Sequence, residues 1–325
     1  MKLGKSGKGK AMKRILITGA CGQIGSELVK YLRNIFGAEN VIATDIKKPS
    51  DFLKETDGFH YLDVLNVDAL ARLVVEEDVD TVFHMAAILS AVGEQNPQLA
   101  YRINLQGLMN VLEVARQKGV QQVFAPSSIA VFGPDAPKEN TPDDTPLNPT
   151  TMYGVTKVAG EKLMQYYYQK YQLDTRSLRF PGIISSETAP GGGTTDFAVD
   201  LYVHAVHHQS YTAYIQADTP LPFMYMPDAI KAIVQFARAD ATQLTRRVYN
   251  VHAMRLTPAE IVRSIQKYLP DFECFYQPDH RQKIAESWPH SIDDRNARRD
   301  WNWQPDFDLD AMTRDMIDKL TQKLK

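Results

Sequence analysis

Residues 15–25 read Ile15-Leu16-Ile17-Thr18-Gly19-Ala20-Cys21-Gly22-Gln23-Ile24-Gly25, an apolar run that enters three glycines spaced three apart. The residues beyond keep a helical period, with Ile24, Leu28, Leu32 and the pair Ile35–Phe36 on one side. A strand, a glycine turn and a helix in that order let the backbone approach a pyrophosphate, which rests on the free N–H groups of the new helix. Gly19, Gly22 and Gly25, with Gln23 and Ile24 between them, are the candidate cradle, although their spacing departs from the commoner G-x-G-x-x-G. A second apolar run, Val41-Ile42-Ala43-Thr44, ends at Asp45, about twenty residues past Gly25. An acidic side chain there can bind both ribose hydroxyls of NAD and would repel the 2′-phosphate of NADP. The alternative for Asp45 is a helix or turn cap; the glycines upstream favour the cofactor role.

The whole chain sets wide bounds. Its 325 residues can bury a large core, as one big domain or two. A composition of 44% hydrophobic and 23% charged residues with a formal net charge of −2 offers no basic balance for nucleic acid. Two cysteines, Cys21 and Cys274, make no disulfide framework and suit a reducing compartment. The most apolar run, Val82 to Val92, contains His84 and Ser90 and falls short of the roughly 20 residues that span a bilayer. The basic start, residues 1–12, reads as a disordered tail, an artificial leader or a fragment of a processed presequence, and lacks the amphipathic, Arg-rich pattern of a transit peptide.

Along the chain, β and α patterns alternate. Strands are expected near His60–Leu62, Thr81–His84, Gln122–Ala125 and Thr175–Phe180, and helices over about 67–77, 97–118 and 153–171. Alternation of this kind specifies a doubly wound, Rossmann-type parallel sheet with helices on both faces. Residues 133–151 turn to Pro, Asp, Asn and Thr and form a loop. Beyond Pro181 the alternation loosens. The expected layout is an NAD-binding core over 13–180 and a smaller substrate-binding lobe over 181–325, with segments at about 196–250 returning to the core.

Tyr153-Gly154-Val155-Thr156-Lys157 carries the chemistry. Positions i and i+4 face one side of a helix, so phenol and ammonium can act together. A phenol of pKa about 10 costs about 4 kcal/mol to ionise at neutral pH. A nearby cation lowers a pKa by roughly 1–3 units, so Lys157 and an oxidised nicotinamide could make Tyr153 a usable base. The motif is weak alone, and Tyr166 with Lys170 repeats it deeper in the same helix. Tyr153 is preferred because it sits where a loop enters the helix, after a strand ending in Pro126-Ser127-Ser128. There Ser128 is either a turn former or a ligand-facing hydroxyl.

Taken together, Gly19/Gly22/Gly25, Asp45, Asp63-Val64, Ala86-Ala87, Asn104, Ser128, Tyr153 and Lys157 resemble, in order and spacing, the extended short-chain dehydrogenase/reductase family. That resemblance implies that Asp63 and Val64 lie by the adenine, Ala86 and Ala87 line the cofactor's middle, and Asn104 supports the active-site helix and its water relay. It further implies that Ser128 hydrogen-bonds the reacting oxygen, Tyr153 is the general acid/base, Lys157 holds the ribose, and Phe180 with Pro181–Ile183 lies beside the nicotinamide.

Three stretches, Ala86–Glu94, Gly192–Asp196 and Glu286–Asp294, are similar to the short-chain type of L-threonine 3-dehydrogenase. By that resemblance Ser90, Ser128, Tyr153, Thr194, Thr195 and Trp288 would contact L-threonine. The product, 2-amino-3-oxobutyrate, would lose CO₂ or pass to a CoA ligase that yields glycine. Residue by residue, Thr194 and Thr195 suit a carboxylate dock or a helix cap, Ser90 a polar contact or a solvent-facing loop, and Trp288 an apolar wall or plain packing. His204, His207 and His208 give an H-x-x-H-H pattern that resembles no hydrolase signature and read as helix-surface or interface histidines, and no metal requirement is expected. The rivals are an NAD-dependent nucleotide-sugar epimerase and a non-enzymatic NAD-sensing protein, the latter disfavoured because Tyr153 and Lys157 are both present. Relatives pair through the two long helices, here 97–118 and 153–171, so a homodimer is expected. The resemblance implies the mitochondrial matrix if the source is eukaryotic and the cytoplasm otherwise, and the N-terminus carries no clear targeting signal.

Overall fold

The structure, a computed structural model, describes residues 12–50, 53, 58–189 and 191–324. The expected leader lies outside these residues except for Met12, which packs into the core.

Strand β1, Ile15–Thr18, lies inside a parallel sheet and is buried along its whole length. It pairs on one side with β2, Val41–Asp45, which pairs with β3, Phe59–Tyr61. On its other side β1 pairs with β4, Thr81–His84, and the sheet continues through β5 (Gln122–Phe124), β7 (Asp174–Phe180) and β11 (Val248–Asn250). A short β6, Ser127–Ser128, adds to β7. The order β11-β7-β5-β4-β1-β2-β3 reverses direction at β1 and β4. In open α/β sheets ligands bind at the carboxyl ends of the two strands where the order reverses.

The sheet is buried on both faces because its side chains alternate. Ile15, Ile17, Phe83 and Phe124 point into one apolar cluster with helix α1, Gln23–Phe36. Leu16, Ile42, Val82 and Val123 point into another with α2, Val67–Glu76. Helix α3, Ser90–Gln95, follows β4. Then come α4 (Pro97–Ala100), a π-helical stretch (Tyr101–Gln106) and α5 (Gly107–Lys118), so the expected single helix contains a wide turn around Asn104. Such turns concentrate at functional sites.

After β6 the loop 133–151 is held by its own side chains: Asn148 donates to Asp135 at 2.7 Å, and a Cβ on Gly133 would fall 2.0 Å from the Asn148 carbonyl oxygen. It delivers the chain to α6, Met152–Tyr171. A third apolar cluster gathers Ile129–Phe132 with β8 (Gly182–Ile184), α7 (Phe197–Val206), β9 (Tyr211–Ala213) and β10 (Leu221–Tyr225). Helix α8, Met226–Arg238, returns to the cluster under β1. The chain closes with β12 (Met254–Leu256), α9 (Pro258–Gln266), β13 (Cys274–Tyr276), α10 (His280–Ser287), α11 (Arg295–Trp301) and α12 (Leu309–Lys323). No helix among the described residues is long and apolar enough to cross a membrane.

Candidate active site

At the carboxyl end of β1, Gly19 has φ +70, and a Cβ there would lie 2.5 Å from the Ala86 nitrogen. A Cβ on Gly25 would lie 2.2 Å from the Gly19 carbonyl oxygen. The three-apart spacing is thus a packing requirement: the first turn of α1 presses on the loop that feeds it. No acidic side chain occupies that turn and no side chain caps it, which leaves its N-terminus suited to an anion. The Asp45 carboxylate, at the end of β2, accepts the N–H groups of Cys21 and Lys47, both at 2.9 Å. Its structural part is therefore that of a turn cap, and it closes the cradle from the side. Asp63 is exposed and caps its own turn through Leu65, while the Val64 carbonyl accepts from Asn110 at 3.0 Å. Neither lines the cleft described next.

A cleft of about 150 Å³ opens above the carboxyl ends of β1 and β4. It brings together Gln23, Ile24, Ala87, Ser90, Ser128, Tyr153, Lys157, Phe180, Thr194, Thr195 and Trp288, which come from seven separate stretches of the chain. Ala86 and Asn104 line a smaller cavity beneath, of about 20 Å³, shared with His84, Lys157 and Glu161 and the size of one water molecule. The Asn104 amide grips Ile88 from both sides, at 2.7 and 3.0 Å, and donates to Thr156 at 3.2 Å. The wide turn of the preceding helix therefore braces the loop after β4 against α6.

Two contacts fix the start of α6 and so the height of Tyr153. The Thr151 hydroxyl accepts from Gly154 at 3.1 Å, and the Glu94 carboxylate accepts from Met152 at 2.6 Å. A Cβ on Gly154 would meet the Ala130 oxygen at 2.2 Å, so glycine lets the helix lie against the turn that follows Ser128. One turn on, the Lys157 ammonium donates to the Pro126 carbonyl at 2.7 Å and sits 5.5 Å from the Tyr153 ring centre. The Ser128 hydroxyl accepts from Ala130 at 3.2 Å, so it is a turn former as well as a cleft-facing group. By contrast Tyr166 and Lys170 bond each other on an exposed face away from the cleft.

The electrostatics differ from the expectation that Lys157 lowers the phenol. Burial pushes Tyr153 up to about 12, opposed by the nearby Ser128 hydroxyl, and Lys157 is itself brought down to about 8 by burial, with Glu161 holding it up. The reason is geometric: the ammonium is turned to a backbone carbonyl rather than to the phenol oxygen. The protein alone keeps Tyr153 protonated, and further positive charge beside it is required to make it a base. His84, wholly buried with its Nδ1 on the Thr18 hydroxyl at 2.8 Å, is held down to about 3 by burial and by Lys157. It stays neutral, leaving Lys157 as the cation of that cavity.

At the other end of the cleft, Ser90 and Thr194 are both buried, with their hydroxyl oxygens 3.1 Å apart. The helix-cap alternative is realised by neither Thr194 nor Thr195: α7 starts beyond Asp196, whose carboxylate turns back to Gly192 and Gly193 at 2.9 and 2.7 Å. Trp288 is 5% exposed and lines the cleft. His204 and His207 direct Nδ1 to carbonyls one turn back, and no three metal-ligating side chains group among the described residues. Glu94, Gly154, Thr156 and Glu161 escaped the sequence reading; only Gly154, next to Tyr153, carried a local signal.

The chain belongs to the NAD dependent epimerase/dehydratase family, whose sequence pattern matches residues 15–251. An uncharacterized epimerase/dehydratase of Staphylococcus saprophyticus is 50% identical over 317 residues, covering 97% of this chain and 99% of that protein. Among solved structures, L-threonine dehydrogenase from Phytophthora infestans is 54% identical with a TM-score of 0.92, covering 95% of this chain and 99% of its own. A monomeric L-threonine 3-dehydrogenase from a metagenome is 43% identical with a TM-score of 0.92, covering 96% and 100%. The protein is thus an NAD-dependent oxidoreductase of the extended short-chain type.

Proposed function

We propose that this protein oxidises L-threonine at its side-chain hydroxyl carbon, yielding 2-amino-3-oxobutyrate. The observation that carries the reading is the buried Ser90–Thr194 hydroxyl pair facing Ser128, Tyr153 and Lys157 across one cleft. A nucleotide sugar offers no charged amino-acid head group to such a pair. A small zwitterion does, and the two hydroxyls with Thr195 can serve its carboxylate and ammonium. Trp288 closes the apolar side against the substrate methyl group.

The cradle of Gly19, Gly22 and Gly25, with Asp45 at its side, fits NAD: two positions exclude any Cβ and the helix start carries no competing acid. When bound, the oxidised nicotinamide supplies the hydride acceptor and a positive charge near Tyr153. Ser128 and Tyr153 hold the substrate hydroxyl. The hydroxyl proton goes to the Tyr153 oxygen, the hydride leaves the same carbon, and a carbon–oxygen double bond forms there. Lys157, held on the Pro126 carbonyl, would bind the cofactor ribose, and the oxidised nicotinamide would supply the positive charge that the phenolate needs. Each turnover converts one NAD⁺ to NADH.

Purified protein mixed with NAD⁺ and L-threonine should produce NADH in step with the keto acid. No NADH from threonine, together with interconversion of a nucleotide sugar, would give the site to the epimerase reading. We further infer a homodimer through Gly107–Lys118 and Met152–Tyr171, where Val155, Tyr166 and Tyr171 stand exposed. Light scattering tests it against the monomeric alternative. The staphylococcal relative lends the mitochondrial expectation no support.

A further inference from the structure

Trp288 reaches the cleft at the end of α10, and that end is bonded twice over to one residue of the loop 133–151. The Lys138 ammonium donates to the carbonyls of Glu286 at 2.7 Å and Trp288 at 3.1 Å. The Lys138 carbonyl accepts from His290 at 2.7 Å and Ser291 at 3.2 Å. One residue therefore brackets Trp288, by its side chain on the near side and its backbone on the far side.

The chemistry suits the place. The last carbonyls of a helix lack intrahelical partners and carry partial negative charge, so a cation there is favourable. Helix α10 has no basic residue in its own last turn, and Lys138 supplies the charge from 148 residues away. Further bonds extend the seam. Asn140 donates its N–H to the Ser291 hydroxyl at 2.8 Å, Thr141 to the Ser291 carbonyl at 3.0 Å, and Thr141 bridges Ile292. The same loop runs on to Thr151, which caps the helix that carries Tyr153.

We propose that Lys138 is a positioning residue that sets where the Trp288 wall stands, and thereby the size of β-hydroxy amino acid the site accepts. The proposal rests on the threonine reading for its substrate but not for its structural link. Without the ammonium, the Glu286 and Trp288 carbonyls lose their shared donor. The indole then drifts, widening the space opposed to the substrate methyl group.

The test uses Lys138→Met, which keeps the apolar stem, and Lys138→Arg, which keeps a donor. Lys138→Met should raise KM for L-threonine at least tenfold, leave kcat within threefold and NADH affinity within twofold, and shift selectivity at least tenfold toward β-phenylserine. Lys138→Arg should return KM to within threefold of the parent. With 5-fluorotryptophan incorporated, the Trp288 resonance should move in Lys138→Met while those of Trp301 and Trp303 stay. An unmoved Trp288 resonance with parental KM overturns the proposal, and so does a uniform shift of all three with kcat falling in parallel, the mark of general loosening. If the parent makes no NADH from threonine, the substrate reading fails, and the fluorine spectra still judge the link between Lys138 and Trp288.

Discussion

The hydroxyl oxygens of Ser90 and Thr194 lie 3.1 Å apart although 104 residues separate them along the chain, and the Thr194 N–H also donates to Ser90 at 3.3 Å. Ser90 heads the short helix after β4, while Thr194 ends the glycine stretch before α7. Two buried hydroxyls satisfy each other and each still has hydrogen-bonding capacity to offer a ligand. The pair joins the helix after β4 to the segment proposed to hold substrate.

Removing one member should leave the other short of a partner in a buried place, at about 1–3 kcal/mol. Ser90→Ala and Thr194→Val are each expected to raise KM for threonine about 10- to 100-fold. NADH affinity, read by fluorescence titration, should stay within about threefold. An unchanged KM in both would remove the pair from the substrate site.

Tyr153→Phe should lower kcat by about 10³-fold, within the range usual for loss of a general base, with NADH binding retained. In the parent protein the rate should climb with pH, because the active form is the phenolate and burial raises the phenol. The climb should bend near 8, where Lys157 gives up its proton. Lys157→Met should remove that bend. A pH profile that is flat in the parent would rule Tyr153 out as the base.

His84 predicts how the fold meets acid. Its folded value, about 3, lies below the ordinary 6.5, so between these the unfolded chain binds a proton that the folded one does not. Stability therefore rises with pH across that window, and acidification below 6.5 costs on the order of 1 kcal/mol per unit from this group. Urea unfolding should show His84→Gln losing less stability than the parent between about pH 7 and pH 5. Equal losses would show that the histidine is not held neutral.

Gly25→Ala should weaken NADH binding at least 30-fold, since the new methyl group would lie 2.2 Å from the Gly19 oxygen and force the cradle open. Asp45→Ser should weaken NAD without creating useful NADP binding, because Asp45 also ties down Cys21 and Lys47. Fluorescence titrations with NADH and NADPH decide both. Gly25→Ala with parental affinity would dissociate the glycines from the cofactor.

Local pattern was enough wherever neighbours in sequence are neighbours in the site. Gly19 to Gly25, Val41 to Asp45 and Tyr153 to Lys157 each form one strand–turn–helix or one helical turn, so their spacing alone carried the geometry. The expected helix over 97–118 was legible in its apolar stripe. The wide turn at Asn104 was not, because it is imposed by contacts to Ile88 and Thr156. The C-terminal third was the least legible: β8, β10 and β12 are short, and their pairings join residues far apart in the chain.

The sequence by itself determined the doubly wound sheet and its strand–glycine turn–helix opening, because periodicity and short-range spacing encode them, and its resemblance to a known family pointed to the Ser128, Tyr153 and Lys157 set. Only the tertiary structure decided that Asp45 caps the glycine turn and that burial holds Tyr153 near 12 and His84 near 3. It alone joined Ser90 to Thr194 and bracketed Trp288 with Lys138. The physical reason is shared: desolvation and long-range hydrogen bonds depend on what the rest of the chain brings alongside a residue, and no local pattern records that.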